Sequence, residues 1–311
     1  MKSSIKVFAP ATVANVVCGF DVLGFAVNAP GDEVVMRRVE KPGISIKKIT
    51  GDDGRLPLDA AKNTVSASVK HYLDHIRQPD LGIEIELHKK MPIGSGLGSS
   101  SASTVAGLFA INSLLDNKLS PMELVPFAMK GEELACGYGH ADNVAPAILG
   151  GFVLIRSYEP LDIIRLPHPE SLFCAIIFPE VDVPTRDARQ MIRQKIFLKD
   201  AVTQWGNIAG LVSGLFLKDI DLIGRSMKDI LVEPVRSILI PDFYKMREMA
   251  MESGAVSFGI SGSGPSVFAF TKSEADAVFI TQKIAKHLAK LQIKSQTYVS
   301  PINDNGPIIL D

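Results

Sequence analysis

The stretch Pro92-Ile93-Gly94-Ser95-Gly96-Leu97-Gly98-Ser99-Ser100-Ser101-Ala102 brings three glycines and four serines together directly before an apolar segment. Glycine lets backbone amides approach an anion without interference from a Cβ atom. Serine hydroxyls add hydrogen-bond donors, and the first turn of a helix carries a positive partial charge. The stretch therefore predicts a loop that holds a triphosphate at the start of a helix.

The spacing of these glycines differs from that of two common nucleotide-binding loops. No Gly-Lys-Ser/Thr follows the stretch, so it is not a Walker loop. The glycines fall as G-x-G-x-G, which lacks the last spacing of the dinucleotide-binding fingerprint. An ordinary connection between a strand and a helix is the remaining alternative.

The segments on either side of this loop predict the fold class. Ile83–His88 alternates apolar and polar residues, as a half-buried strand does, and Val105–Leu115 is an apolar helix. Ser120-Pro121-Met122-Glu123 has the capping-box pattern that opens a helix. Since strands and helices alternate and many strands are half-exposed, we predict an α+β fold rather than a doubly wound parallel sheet. The length of 311 residues fits two domains, which we place at 1–167 and 168–311.

Composition excludes several classes of protein. Lys and Arg number 33 against 34 Asp and Glu, so no overall field attracts nucleic acid or an anionic membrane. The cysteines at 18, 136 and 174 are too widely spaced for a disulfide framework or a zinc knuckle. The apolar stretch 7–27 is interrupted by Pro10, Asn15 and Asp21, unlike a secretion signal or a membrane span. We expect a cytoplasmic enzyme with reduced thiols.

Asn15 and Asp21 are polar side chains in an otherwise apolar stretch. Such groups are costly to bury unless they are hydrogen-bonded. A carboxylate can accept hydrogen bonds from an ammonium group, and an amide can bond a hydroxyl or a carboxylate. The two residues could equally organise a turn, and the residues alone leave both interpretations open.

The loop Pro92–Ala102 resembles the signature loop of the GHMP kinases, and Gly259-Ile260-Ser261-Gly262-Ser263-Gly264-Pro265 resembles a further motif of that family. The likeness covers essentially the whole chain, with three motifs in the expected order. It implies a ribosomal-S5-like N-terminal half, a ferredoxin-like C-terminal half, and phosphoryl transfer from ATP with Mg²⁺ to a small-molecule hydroxyl. It also implies that Pro92–Ala102 binds the phosphates and that Asn63 lies on the adenine side.

The segment from Ala9 to Asp21 looks like that of the homoserine-phosphorylating members of the family. That resemblance implies L-homoserine as the substrate and O-phospho-L-homoserine as the product. It assigns the ammonium group to Asp21 and the carboxylate to Arg189 and Arg236. The other residues that it places around the amino-acid substrate are Asn15, His140, Asn143, Thr185 and Gly262.

By the same resemblance Glu132 is the magnesium ligand, assisted by a hydroxyl of Ser99 or Ser100, and Asn143 and Arg189 complete the catalytic set. Glu132 could otherwise lie on a solvated helix face, as its neighbour Glu133 could. We assign no general base, since these kinases lack a dedicated aspartate and positioning can carry phosphoryl transfer.

Two rival functions and one question of assembly stay open at this point. The nearer rival is a GHMP kinase for another hydroxylated metabolite, such as mevalonate or shikimate. The more distant rival is a non-catalytic module that binds nucleotide or RNA, against which the balanced charge argues. A homodimer is also left open.

Overall fold

The structure, a computed structural model, describes residues 3–137, 139–183 and 185–310, without the side chains of residues 135, 136 and 185–187. Two β-sheets, one of seven strands and one of four, organise this part of the chain, and helices pack against both. The predicted α+β class is therefore confirmed. The side chain of Thr185, one of the predicted substrate residues, lies outside the described part.

The first sheet has the order β11-β1-β2-β4-β3, and β5 joins it through β2 while β6 pairs with β5. Only β3 and β4 pair in parallel; the other pairs are antiparallel. The strands are β1 (Ser4–Ala14), β2 (Leu23–Arg38), β3 (Ile44–Thr50), β4 (Ile83–His88), β5 (Phe152–Tyr158), β6 (Leu161–Leu166) and β11 (Ile308–Leu310).

Four helices cover this sheet, and the central one is buried on nearly every side. They are α1 (Thr64–His75), α2 (Ser99–Leu114), α3 (Pro121–Cys136) and α4 (Ala141–Leu149). Helix α2 packs on β1 and β2 and also against the other three helices. Because it follows β4 through the glycine-rich loop, its first turn lies at the end of the sheet.

The second sheet has the order β10-β7-β9-β8 and is antiparallel throughout. Its strands are β7 (Phe173–Pro179), β8 (Ser257–Ile260), β9 (Val267–Thr271) and β10 (Ser295–Pro301). Along the chain they follow a β-α-β-β-α-β course, which is the ferredoxin-like arrangement expected for this half. The helices α9 (Phe243–Glu252) and α10 (Glu274–Lys290) pack on this sheet, whereas α6 (Leu198–Leu217) contacts α7 (Ile220–Ser226) and β6 of the first sheet. The same part of the chain contains the short helices α5 (Thr185–Gln190) and α8 (Glu233–Arg236).

The two sheets share apolar packing and chain connections. Phe25 of the first sheet stacks on Phe152 at 4.8 Å and meets Phe268 and Phe270 of the second sheet at 5.8 and 5.1 Å between ring centroids. The end of the chain returns to the first sheet, where β11 pairs with β1. The division at residue 167 stays a prediction. Within the described residues, no helix is both long and apolar enough to cross a membrane.

Candidate active site

The glycine-rich loop ends in a helix start that no side chain of the described residues caps. Gly94, Gly96 and Gly98 have φ values of 74°, 79° and 65°, which L side chains rarely adopt. Gly98 is the N-cap of α2 in the left-handed conformation and makes no side-chain cap hydrogen bond. The first amides of the helix can therefore donate to an anion, and phosphate binding by this loop stays a prediction.

The motif 259–265 holds this loop from the second sheet. The Ser261 hydroxyl donates to the Gly96 carbonyl at 2.7 Å, and the Ser266 amide donates to the Ser95 carbonyl at 3.1 Å. A Cβ atom on Gly96 would lie 2.5 Å from the Ser261 carbonyl oxygen, so the approach needs glycine. The second glycine-rich motif therefore braces the first.

Glu132, late on α3, and Ser99, at the start of α2, have the donor atoms of a magnesium site. Glu132 Oε1 and Ser99 Oγ are both buried and have no hydrogen-bond partner among the described residues. Burial raises the pKa of Glu132, while the hydroxyls of Ser100 and Ser101 and the charge of Lys89 lower it. One carboxylate, a hydroxyl and phosphate oxygens are the ligands that Mg²⁺ prefers, so these residues fit the ion. Glu133 is exposed.

A buried ion pair, which the sequence did not reveal, supports the same turn. Lys89 forms an ion pair with Asp32 and donates to the Ser99 carbonyl at 2.8 Å and to the Ser103 hydroxyl at 2.7 Å. Burial lowers the pKa of Lys89, and the Asp32 carboxylate acts in the opposite direction. Lys89 directly follows β4 and precedes Lys90, and no local pattern in the sequence marks it as buried.

Opposite charges gather at the other end of the site. The Arg189 guanidinium donates to both oxygens of Asp21, at 3.2 and 2.7 Å. Arg236 is buried and donates to the carbonyl oxygens of Gly262 at 3.0 Å and Ala188 at 3.3 Å. Burial lowers the pKa of Arg236; Asp21 raises it, and the neighbouring charge of Arg189 lowers it. This end suits a ligand with both an ammonium and a carboxylate group.

The backbone of the segment before Asp21 is unusual. Asn15, Val16 and Val17 have φ values of 72°, 42° and 63°, and Asp21 has 60°. Positive φ is rare for branched residues such as valine, and residues held in this way cluster at functional sites. Asn15 fixes the turn because its Oδ1 accepts from the Asp21 amide at 3.0 Å and its Nδ2 donates to the Gly262 carbonyl at 2.8 Å. Asn15 therefore both organises a turn and lines the site.

Phe20, in the same turn, was also missed by sequence reasoning. Its ring centroid lies 5.1 Å from the Arg236 guanidinium carbon and 5.7 Å from that of Arg189. Tyr158 supports the turn from β5, since its hydroxyl donates to the Asp21 carbonyl at 2.8 Å.

Three polar residues at the start of α4 lie between the two ends of the site. Asn143 Oδ1 accepts from the Thr12 hydroxyl at 2.8 Å. Asp142 is buried, its Oδ1 has no partner among the described residues, and burial raises its pKa to about 7. His140 Nδ1 lies 3.9 Å from Asp21 Oδ1; burial lowers the pKa of His140, and Asp21 raises it.

One cavity of about 410 Å³ contains nearly all the predicted residues. Leu97 and Ala102 are buried instead in the core, and Pro92 does not line the cavity. Asn63 lines it but its amide is engaged, since it accepts from the Val65 amide at 3.1 Å and donates to the Pro57 carbonyl at 3.1 Å. The predicted residues that line the cavity are Asn15, Asp21, Asn63, Ile93, Gly94, Ser95, Gly96, Gly98, Ser99, Ser100, Ser101, Glu132, His140, Asn143, Arg189, Arg236 and Gly262.

Comparison with known proteins gives one consistent result. The models of the GHMP kinase N-terminal and C-terminal domains match residues 63–151 and 211–290. The homoserine kinases of Chlorobium phaeovibrioides and Chlorobium phaeobacteroides are 49% and 48% identical to the chain, and each match covers 99% of both proteins. The crystal structure of homoserine kinase from Cytophaga hutchinsonii superposes with a TM-score of 0.97 at 58% identity, covering 100% of this chain and 98% of that one.

Proposed function

The chain belongs to the homoserine kinases of the GHMP kinase family, and from that premise we propose that it phosphorylates the side-chain hydroxyl of L-homoserine with ATP, a step toward threonine. The observation that carries the proposal is that one cavity of about 410 Å³ is lined by both groups of residues. It has a helix start suited to phosphate at one end and the Asp21, Arg189 and Arg236 charges at the other.

Asp21 and the two arginines complement a zwitterionic amino acid. Asp21 would receive the ammonium group, and Arg189 and Arg236 the carboxylate, for which the planar guanidinium fork is suited. Thr185 is assigned to the same neighbourhood by resemblance. With both charged groups held there, the hydroxyl end of the substrate would be left to reach Asn143 and the loop, which line the same cavity. An alcohol without those charges would leave the three side chains without ligand partners.

ATP would place its phosphates against the amides and hydroxyls of residues 94–101. Glu132, with Ser99 or Ser100, would hold Mg²⁺, which neutralises charge on the phosphates when bound. The γ-phosphorus–oxygen bond to ADP breaks as the homoserine oxygen bonds to phosphorus, and the hydroxyl proton is released overall. Asn143 is held by Thr12 and would orient the hydroxyl, so positioning carries the reaction without a dedicated base.

Release of ADP across a panel of alcohols tests this function. We expect turnover with L-homoserine and much less with mevalonate or shikimate. Glu132→Gln, which keeps the shape of the side chain but removes its charge, should lose nearly all turnover and bind Mg²⁺–ATP more weakly. Activity confined to alcohols that are not amino acids would contradict the proposal.

A further inference from the structure

We propose that Phe20 is a positioning residue for the substrate carboxylate, because its ring contacts the guanidinium groups of Arg189 and Arg236 together. This inference rests on the proposed function, in which those two arginines receive the carboxylate of homoserine. Phe20 itself need not contact the substrate, so its effect passes through the arginines.

The geometry fits a cation–π contact with each arginine. The ring centroid lies 5.1 Å from Cζ of Arg236 and 5.7 Å from Cζ of Arg189, inside the range of about 6 Å over which the ring quadrupole attracts a cation. Arg236 is buried, and a cation–π contact gains strength when its cation is desolvated. The single aromatic ring of Phe20 thus interacts with both Arg189 and Arg236, the two residues proposed to bind the carboxylate.

The contact with the Phe20 ring offsets the repulsion between two positive charges at this end of the cavity. Arg189 and Arg236 repel each other, and the Arg189 charge lowers the pKa of Arg236. Among the described residues, the hydrogen bonds of Arg236 go to the neutral carbonyl oxygens of Ala188 and Gly262. A further carboxylate beside the arginines would relieve the repulsion but would compete with the substrate carboxylate. An aromatic ring attracts both cations without adding a negative charge that competes with the substrate carboxylate.

The backbone around Phe20 is fixed firmly enough for such a role. On one side, the amides of Val22 and Leu23 donate to the Gly19 carbonyl at 3.0 and 2.9 Å. On the other, the amide of Asp21 donates to Asn15 and its carbonyl accepts from Tyr158. The backbone that carries the ring is therefore held on both sides of Phe20.

A plain apolar role is the competing explanation. Phe20 lines a small cavity of about 20 Å³ together with Val17, Val232 and Ile260, so the ring also fills space there. Any large apolar side chain could do that. The two roles can be distinguished because the cation–π contact depends on the electron density of the ring, whereas apolar packing does not.

Fluorinated phenylalanines at position 20 provide that separation. Mono-, di- and trifluorinated rings keep nearly the shape of phenylalanine while the ring quadrupole weakens stepwise. We expect the KM for L-homoserine to rise with each added fluorine, by about tenfold for the trifluorinated ring, and the KM for ATP to stay constant. The kcat/KM for 3-aminopropan-1-ol, which is homoserine without its carboxylate, should not change along the series.

Phe243 supplies a matched control, since its ring centroid lies 5.0 Å from the Arg247 guanidinium carbon, and neither residue lines the cavity. The same substitutions there should change none of these constants. Phe20→Tyr should keep a KM for homoserine near that of the unmodified protein, and Phe20→Leu should raise it while the carboxylate-free alcohol is unaffected. These two variants also test the inference if fluorinated protein does not fold.

Two results would overturn the positioning role. One is a KM for homoserine that does not change along the fluorine series, or that is the same in Phe20→Leu as in the unmodified protein. The other is an equal loss for homoserine and 3-aminopropan-1-ol, which would mean that the ring matters for something other than the carboxylate. Failure of the unmodified protein to use homoserine would instead reject the proposed function, so the two failures are distinguishable.

Discussion

Asp21 and Arg189 pair with each other across the cavity, although each is also assigned a charged group of the substrate. A zwitterionic amino acid carries both complementary charges, so it can exchange partners with the pair without leaving either side chain uncompensated. The two side chains are 26% and 36% exposed, which makes such an exchange accessible to a small ligand. We therefore expect the pair to favour a ligand that carries two opposite charges.

Asp21→Asn tests this exchange. The variant keeps the shape of the side chain and removes the charge that would meet the ammonium group. We expect the KM for L-homoserine to rise about 30-fold, corresponding to a loss of about 2 kcal/mol for a partly exposed charge pair. The KM for ATP should be nearly unchanged in the same steady-state assay.

Asp162→Asn is the control for Asp21→Asn. Asp162 pairs with Arg156 at an exposed position on β5 and β6, away from the cavity. An exposed ion pair contributes little, so neither KM should move. Equal weakening of homoserine and ATP by Asp21→Asn would mean that the residue is misplaced in this account.

Asp142 predicts a pH dependence of stability. Burial raises its pKa to about 7 in the folded chain, well above the value of about 4 expected when unfolded. The contribution of the neutral Asp142 carboxyl to the free energy of unfolding is therefore fully present below about pH 4, and it is lost as the pH rises through about 7. Asp142→Asn carries no charge to bury, so it should gain up to about 4 kcal/mol relative to the parent between pH 4.5 and 8. Urea unfolding at pH 4.5 and at pH 8 measures the difference in unfolding free energy between the variant and the parent. An equal difference at the two pH values would contradict the prediction.

At the scale of elements, the glycine-rich loop depends on one close approach to the motif 259–265. Gly96 and Gly94 have nearly the same φ, 79° and 74°, but different surroundings. A Cβ atom on Gly96 would lie 2.5 and 2.7 Å from two backbone oxygens, whereas nothing lies within 4 Å of one on Gly94. The two positions therefore separate backbone strain from crowding.

Gly96→Ala and Gly94→Ala form a matched pair for urea denaturation. Both should lose about 1 kcal/mol of unfolding free energy from the left-handed conformation. Gly96→Ala should lose about 1–3 kcal/mol more, because the loop and its brace must move apart. Equal losses would show that the brace does not restrain the loop.

The bounds of the helices show what periodicity can and cannot predict. The hydrophobic periodicity predicted that the helix after the loop begins at Val105, whereas α2 begins at Ser99 in the structure. Nearly the whole of α2 is buried, so it has no polar face from which its first turn could be recognised. The loop itself could be predicted because its glycines and serines serve a local backbone purpose.

At the scale of the whole molecule, the buried Lys89–Asp32 pair ties the end of β4 to β2 and to the first turn of α2. Removing one partner from a buried pair leaves an uncompensated charge and costs about 3–5 kcal/mol. We expect losses of that size for Lys89→Met and for Asp32→Leu, measured by urea denaturation.

The double variant Lys89→Met with Asp32→Leu separates the pair from its individual charges. Apolar replacement of a whole buried pair is often neutral, so most of the lost stability should return. Additive losses in the double variant would contradict a direct pairing of the two residues.

Much of the site could be predicted from the sequence, but its long-range supports could not. The loop and Glu132 lie in recognisable motifs, and the polar residues of the first segment are conspicuous because their neighbours in the sequence are apolar. Lys89 and Asp32 are separated by 57 positions, and Phe20 meets arginines at 189 and 236. The first contact depends on the pairing of β2 with β4, and the second depends on how the two halves of the chain come together. A single sequence encodes neither in a local pattern.

A crystal structure with a non-hydrolysable ATP analogue, Mg²⁺ and L-homoserine tests the central claim most directly. We expect the triphosphate oxygens to accept hydrogen bonds from the amides of residues 94–101. We also expect the substrate carboxylate at Arg189 and Arg236 and its ammonium group at Asp21. A loop that turned its carbonyl oxygens toward the cavity, or an analogue bound elsewhere, would contradict the account.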